Sequence, residues 1–331
     1  MIVKAANKAA LIMKYQRGNV MILTVCLSPC IDVNIEVESL NAGKTHKIIS
    51  KRVFFTGKAI NVAIGLSRLK ADSFATGFMY EENGHLFEQE LHKEGVTYKF
   101  VWNDGRVREN YKFIDHKSML TEIDDISAEV SQQKQEDLIN LVGQLAPSCE
   151  AVVISGGLAK GMSADYYAKI LRVIPENVKK VVDTEGERLF ESLKYGVDLI
   201  KPNIEELERT LNRSAKTQDE MLKACHELIR MGAKRVLLSL GKGGAIITDG
   251  EKNYFCKSVN VAMNSTLGAG DSMVAAATQA LAAGAPLEEI LRKGVAAGTA
   301  AVTTPDSISF VKDKYEEILS ALQVKEIHLT A

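Results

Sequence analysis

The sequence predicts an α/β protein with a mostly parallel sheet covered by helices on both faces, and three observations carry the prediction. Continuous apolar, β-branched runs such as 21–27 and 151–155 have the character of buried parallel strands, and from residue 131 they alternate with helical stretches. These runs end in breaks that open toward a helix: Gly156-Gly157, Asp183, Lys201-Pro202-Asn203 and Ser239 to Gly244. In such a sheet the site lies beyond the C-terminal strand ends, so these clusters and Asp32 are expected to converge on one crevice. Finally, residues 31–38 alternate strictly between apolar and polar, the period of a strand with one face in water. With a second exposed strand at about 46–53, they predict a small sheet projecting from the main body.

Taken in order, the first strand, 21–27, is broken by Ser28-Pro29-Cys30, and the two exposed strands follow. Thr56-Gly57-Lys58 leads into a helix to about 69, followed by a strand at 73–79 and a helix at 83–94. Further exposed strands are expected at 98–102, 109–115 and 119–124. Then come a helix to 145, a strand at 151–155, a helix at 164–173, a strand at 180–183, a helix at 188–193 and a strand at 197–200. Helices end at 211 and span 218–231; strands are expected at 236–240, 245–248 and 253–259. Helices at 271–283, 287–302 and 313–322 close the chain, the first of them alanine-rich and free of Gly and Pro across 272–281.

With 331 residues, 46% hydrophobic and 25% charged, the composition is that of a globular protein with a core large enough to need no staples. Lys plus Arg number 41 against 42 acids, a net charge of −1, which argues against nucleic acid as a partner. An anionic substrate must be met by local positive groups. Of five cysteines only Cys26 and Cys30 are close, as C-x₃-C, and no second pair has zinc-like spacing, so they read as reduced, buried thiols of a cytoplasmic protein. No apolar run approaches the roughly 20 residues that span a bilayer. Residues 1–20 carry Lys4, Lys8, Lys14 and Arg17 and no acid, and are expected to be an extension or an alternative start before Met21. No repeat or linker divides residues 21–331, which are expected to form one domain.

The stretch with the clearest chemistry is Asn264-Ser265-Thr266-Leu267-Gly268-Ala269-Gly270-Asp271. Its glycines precede a helix, where backbone N–H groups have no intrahelical partner and the helix dipole is positive, an arrangement suited to phosphate. Asp271 has two readings: a helix cap, or a general base that takes a proton from a hydroxyl attacking a phosphoryl group held there.

With these clusters in order, residues 21 to about 322 resemble the ribokinase/PfkB family of ATP-dependent sugar kinases, whose second signature is similar to residues 264–275. Thr24 to Asp32, Arg108 with Asn110, Thr121-Glu122-Ile123, residues 200–207 and Ser239-Leu240-Gly241 look like the branch acting on sugar phosphates, 1-phosphofructokinase and tagatose-6-phosphate kinase. The resemblance implies a ribokinase-like three-layer sandwich with a small β-sheet lid, from about 31–53 and 97–124. It implies that Asp32, Gly57, Lys58, Asn61, Arg108 and Asn110 line the sugar-phosphate site. Ser239, Gly241, Gly243 and Thr266 would line the ATP site, and Asn203 and Glu206 would organise Mg²⁺ and the ATP phosphates through water. Gly268, Ala269 and Gly270 would hold the transferring phosphoryl group, with Asp271 as base. The acceptor implied is fructose 1-phosphate, with tagatose 6-phosphate, another sugar or a nucleoside as alternatives; a non-catalytic sugar-phosphate sensor is the reading from a different class. A homodimer through the lid is also implied. The chain departs from the family in the sugar loop: where Ala-Gly-Gly-Lys-Gly is usual it has Phe55-Thr56-Gly57-Lys58-Ala59, so two glycines give way to bulkier residues.

Overall fold

A computed structural model describes residues 21–117, 119–304 and 309–329; the expected extension, residues 1–20, lies outside the described residues. The strands are β1 (Met21–Cys26), β2 (Cys30–Val37), β3 (Ile48–Thr56), β4 (Asp72–Tyr80), β5 (Thr97–Tyr98), β6 (Val101–Asn103), β7 (Arg108–Ile114), β8 (Leu120–Ile123), β9 (Ala151–Ser155), β10 (Lys179–Asp183), β11 (Leu199–Ile200), β12 (Val236–Ser239), β13 (Ala245–Thr248), β14 (Asn253–Cys256) and β15 (Val324–Glu326). Among the described residues, eleven strands make the main sheet in the order β15-β14-β13-β12-β11-β10-β9-β1-β4-β5, with β6 beside β4. Pairing is parallel from β12 to β5 and antiparallel from β12 to β15.

The period-2 pattern of buried strands assigns alternate residues to opposite faces. Leu23, Val152, Ile154 and Val182 join one core; Ile22, Val153 and Val181 join the other. The second core is closed by the alanine-rich helix Ala269–Ala282 with Leu287–Thr303. Its small residues let helices approach closely: a Cβ on Gly65 of helix Lys58–Arg68 would lie 2.9 Å from the Cβ of Ala275. The result is the ribokinase-like layering, helices on both faces of a mostly parallel sheet. No helix among the described residues is long and apolar enough to cross a membrane.

A separate four-stranded sheet, β3-β2-β7-β8, stands apart from it. Its extent corrects the expected 97–124 segment. Residues 97–103 do not belong to the small sheet: β5 and β6 pair with β4 of the main sheet, and Phe100 and Val101 are buried. A short apolar run such as 98–102 carries no period that distinguishes an exposed strand from a buried one, and packing against the main body decides it. β2 is also drier than its alternation implies, since Cys30 and Asp32 are buried along with Ile31, Val33, Ile35 and Val37. Its polar side is dry only at the Asp32 end; Asn34 and Glu36 remain partly exposed. Two further differences are small. Helix Ala269–Ala282 starts two residues before Asp271, and β15 extends the sheet beyond the last expected helix.

Candidate active site

Gly268, at φ 72°, turns the chain into helix Ala269–Ala282, so Ala269, Gly270 and Asp271 form its first turn. The N–H groups of that turn have no intrahelical acceptor. Ala269 N–H is directed at the Thr266 carbonyl at 3.4 Å. Asp271 is the third helical residue, not the cap, and its carboxylate does not bond to the helix backbone. Instead Oδ2 accepts a 2.7 Å hydrogen bond from Asn61 Nδ2. Burial raises the Asp271 carboxyl to about 6; nearby Asp183 adds to the rise, and Lys58, Asn61 and Lys201 oppose it. The helix-cap reading of Asp271 is thereby set aside.

Beside this turn lies a network of charges. Gly57, at φ 140°, sits so close to β1 that a Cβ would come within 2.8 Å of Cys26 Sγ, and it delivers Lys58 as the first residue of helix Lys58–Arg68. Lys58 Nζ lies 3.5 Å from both Asp183 Oδ2 and Glu206 Oε1. Lys201 Nζ, 5% exposed, lies 3.4 Å from Asp183 Oδ1, and the Ser155 hydroxyl donates to Asp183 Oδ2 at 2.8 Å. Burial pushes the Asp183 carboxyl up, but the Lys201 and Lys58 ammoniums and Ser155 outweigh it and hold the group below its ordinary range. Asp183 in turn raises Lys58, against the effect of burial and with help from Glu206. A Cβ on Gly270 would stand 3.6 Å from Lys201 Nζ, so this buried ammonium lies directly against the turn.

Asn203 and Glu206 form a capping box at the start of helix Ile204–Leu211: Glu206 N–H donates to Asn203 Oδ1 at 2.8 Å and Asn203 N–H to Glu206 Oε2 at 2.9 Å. Asn-x-x-Glu thus has a full structural duty, which leaves Oε1 facing Lys58.

On the small sheet, Asp32 is 5% exposed and Lys112 Nζ lies 3.7 Å from its Oδ2. Arg108 and Asn110 come next on β7, with Arg108 Nη1 donating to Asn110 Oδ1 at 3.2 Å. Arg108 Nε is buried with no hydrogen-bond partner among the described residues. Cys26, at the end of β1, feels charges from both halves of the site. Burial pushes its thiol up to about 12, and Arg108 and Asp271 act on it with opposite signs.

The other side of the turn opens into a cavity of about 550 Å³ lined by Ser239, Gly241, Thr266, Gly270, Val295 and Gly298 among others. Its walls are largely apolar, and it ends at the helix N-terminus. Gly243 closes the turn Gly241–Gly243 without lining the cavity.

The structure therefore brings Gly57, Lys58, Asn61, Glu206 and Gly268 to Asp271 together, with Asp32, Arg108 and Asn110 on the small sheet and Ser239, Gly241 and Thr266 around the cavity. Sequence reasoning does not single out three members. Asp183 reads only as a strand end, Lys201 has no assigned role, and Lys112 looks like one charge of an alternating strand. The signal for the first two is their place at the C-terminal ends of β10 and β11. Thr56 and Ala59 adopt no positive φ, so the loop accommodates both replacements without backbone strain.

A family model described as pfkB family carbohydrate kinase matches residues 21–314. The chain is 31% identical over 309 residues to a 1-phosphofructokinase of Borreliella burgdorferi, covering 93% of this chain and 99% of that protein. It is 29% identical over 311 residues to a tagatose-6-phosphate kinase of Staphylococcus epidermidis, covering 93% and 100%. Among solved structures it superposes with a TM-score of 0.83 on phosphofructokinase-2 from Escherichia coli in complex with fructose-6-phosphate, at 29% identity, covering 91% of this chain and 99% of the other.

Proposed function

The chain belongs to the pfkB family of carbohydrate kinases, a phosphotransferase with a sugar hydroxyl as acceptor, and we propose that it transfers the γ-phosphoryl group of ATP to fructose 1-phosphate, giving fructose 1,6-bisphosphate. The observation that carries the reading is the buried Asp271 carboxylate, held by Asn61 at the open end of a helix. Asp271 accepts the proton of the attacking hydroxyl, and a carboxyl near 6 is ionised at neutral pH while still basic enough to take it. The Gly270 and Asp271 amides, with Lys58 and Lys201, face the charge that builds on the transferring phosphoryl group. Asp32 accepts hydrogen bonds from sugar hydroxyls. Arg108, with its free buried Nε, Asn110 and Lys112 receive the phosphate already on the substrate.

The apolar cavity ending at the helix N-terminus fits a nucleotide, with the base among Gly241, Val295 and Gly298 and the phosphates at Gly268 to Asp271. Among the described residues no group of three or more His, Cys, Asp or Glu forms a metal cage. Mg²⁺ carried on the ATP phosphates would be met through water by Glu206, whose Oε1 is not used in the capping box. When bound, Mg²⁺ neutralises charge on those phosphates.

A second acceptor, tagatose 6-phosphate, is favoured by the similarity to a kinase of that name. A coupled ADP-release assay with Mg-ATP and fructose 1-phosphate, tagatose 6-phosphate, fructose 6-phosphate, fructose, ribose and a nucleoside tests both. The expected result is the highest kcat/KM on fructose 1-phosphate. Turnover confined to unphosphorylated acceptors would remove Arg108 as a phosphate ligand, and sugar-phosphate binding without ADP release would make the chain a sensor. The free buried cysteines support a cytoplasmic setting. Exposed Ile49 and Ile123 on the outer strands of the small sheet support a homodimer through that lid.

A further inference from the structure

Asp32 does not stand alone on the small sheet. The pairings of β3, β2 and β7 set Thr56, Cys30 and Arg108 in one row, and Phe54, Asp32 and Asn110 in the row two residues on. Residues two apart on a strand share a face, so Thr56 and Cys30 flank Asp32 on the side that looks into the site. The Cys30 thiol donates to Asp32 Oδ1 at 3.2 Å. The Thr56 hydroxyl lies 3.3 Å from Asp32 Oδ2 and 3.2 Å from the Cys30 carbonyl, and its single hydrogen serves either acceptor. All three side chains are nearly dry, Cys30 at 3%, Thr56 at 4% and Asp32 at 5% exposure. Burial first, and then Asp32 itself, push the thiol up to about 12, so it remains a donor at neutral pH.

We infer that the Cys30 thiol and the Thr56 hydroxyl are positioning groups that fix the Asp32 carboxylate for the sugar acceptor. The inference rests on the reading of Asp32 as an acceptor ligand. A carboxylate offers about four lone-pair sites on its two oxygens. Cys30 engages Oδ1 and Thr56 reaches Oδ2, Lys112 Nζ stands 3.7 Å from the same Oδ2, and the sites left over are those a sugar hydroxyl can use. The carboxylate plane is set before the sugar arrives, so the ordering cost is met in folding rather than in binding. Position 56 is one of the two where the chain's sugar loop carries a bulkier residue than the family's usual glycine. A glycine there has no hydroxyl to give.

The test uses Thr56→Val, which keeps shape and removes the donor, Thr56→Ser, which keeps the donor, Cys30→Ala, and Asp32→Asn as the control for the underlying reading. Kinetics are measured with Mg-ATP on the panel acceptor that the unmodified chain turns over best. Thr56→Val is expected to raise the acceptor KM about tenfold, the size of a hydrogen bond to a charged group, with the KM for ATP unchanged. Thr56→Ser should restore it, and Cys30→Ala should act in the same direction. If Asp32→Asn raises the acceptor KM while Thr56→Val and Cys30→Ala do not, the positioning role is overturned and the ligand role of Asp32 stands. Equal rises in both KM values for Thr56→Val, or no rescue by Thr56→Ser, would likewise overturn it. An Asp32→Asn enzyme with unchanged acceptor KM would overturn the reading of Asp32 and the inference with it.

Discussion

The two halves of the site are held in different ways. Around Asp271 the groups sit on strand ends and helix starts of the main sheet, and each is fixed by a buried partner: Asp271 by Asn61, Asp183 by Lys201 and Ser155, with the partly exposed Lys58 beside it. Around Asp32 the carboxylate also has buried partners, Cys30 and Thr56, but they sit on a small sheet whose outer strands are largely exposed, with Ile49 63% and Ile123 57% accessible. Phosphoryl transfer is the same step for every acceptor, and its groups lie where packing leaves them least freedom. Acceptor recognition rides on an element with fewer packing constraints, and there Thr56 replaces a usual glycine at no backbone cost. Stability and turnover should therefore respond on the first side, and acceptor binding on the second.

The largest effect expected is from Asp271→Asn, which should lower kcat by about 10³-fold through loss of the base. In the unmodified enzyme kcat should fall along a one-proton limb as pH drops through about 6. The effect on stability has the opposite sense. Folding raises this carboxyl from 3.8 to about 6, so its contribution is most favourable below 3.8 and is lost as pH rises through 6. At pH 8 the buried charge is a cost, and Asp271→Asn should melt no lower than the unmodified chain. A melting point several degrees lower at pH 8 would mean that Asp271 is structural.

Next in size, Asp183→Asn should cost about 3–5 kcal/mol in denaturant unfolding, because it leaves the buried Lys201 without its counter-charge. The corresponding change on the small sheet, Lys112→Met, removes a longer, 3.7 Å contact to an Asp32 carboxylate that Cys30 and Thr56 still hold, and should cost less stability than Asp183→Asn while raising the acceptor KM. Equal losses of stability from the two variants would erase the contrast. Asn203→Ala removes one half of a capping box and should cost about 1 kcal/mol; a loss of ATP affinity without that destabilisation would show the pair acting on the phosphates rather than on the helix. The smallest effect on a single chain is expected from Ile49→Lys with Ile123→Lys. Sedimentation should show these two changes shifting the chain toward monomer if the lid is the dimer face, and an unchanged mass would remove that face from consideration.

Periodicity and punctuation are enough to read much of this molecule. The buried strands, the helices between them and the Gly268 to Asp271 turn follow from local patterns: continuous apolar runs, alternation, and glycines ahead of an alanine-rich helix. The convergence of Asp183 and Lys201 on one crevice is legible as topology, since parallel strands deliver their C-terminal ends to one edge. What those residues do there is not, because a Lys or Asp in a strand break has the same local signature whether it is buried against a counter-charge or solvated. Only tertiary structure decided that Lys201 is buried against Gly270, and that Asp271 bonds to a side chain 210 residues away rather than to its own helix. Only it decided that 97–103 belongs to the main sheet and that Thr56 turns its hydroxyl toward Asp32. Local sequence sets backbone period and turn chemistry through neighbouring residues; burial and pairing of charges depend on which distant segments fold against them.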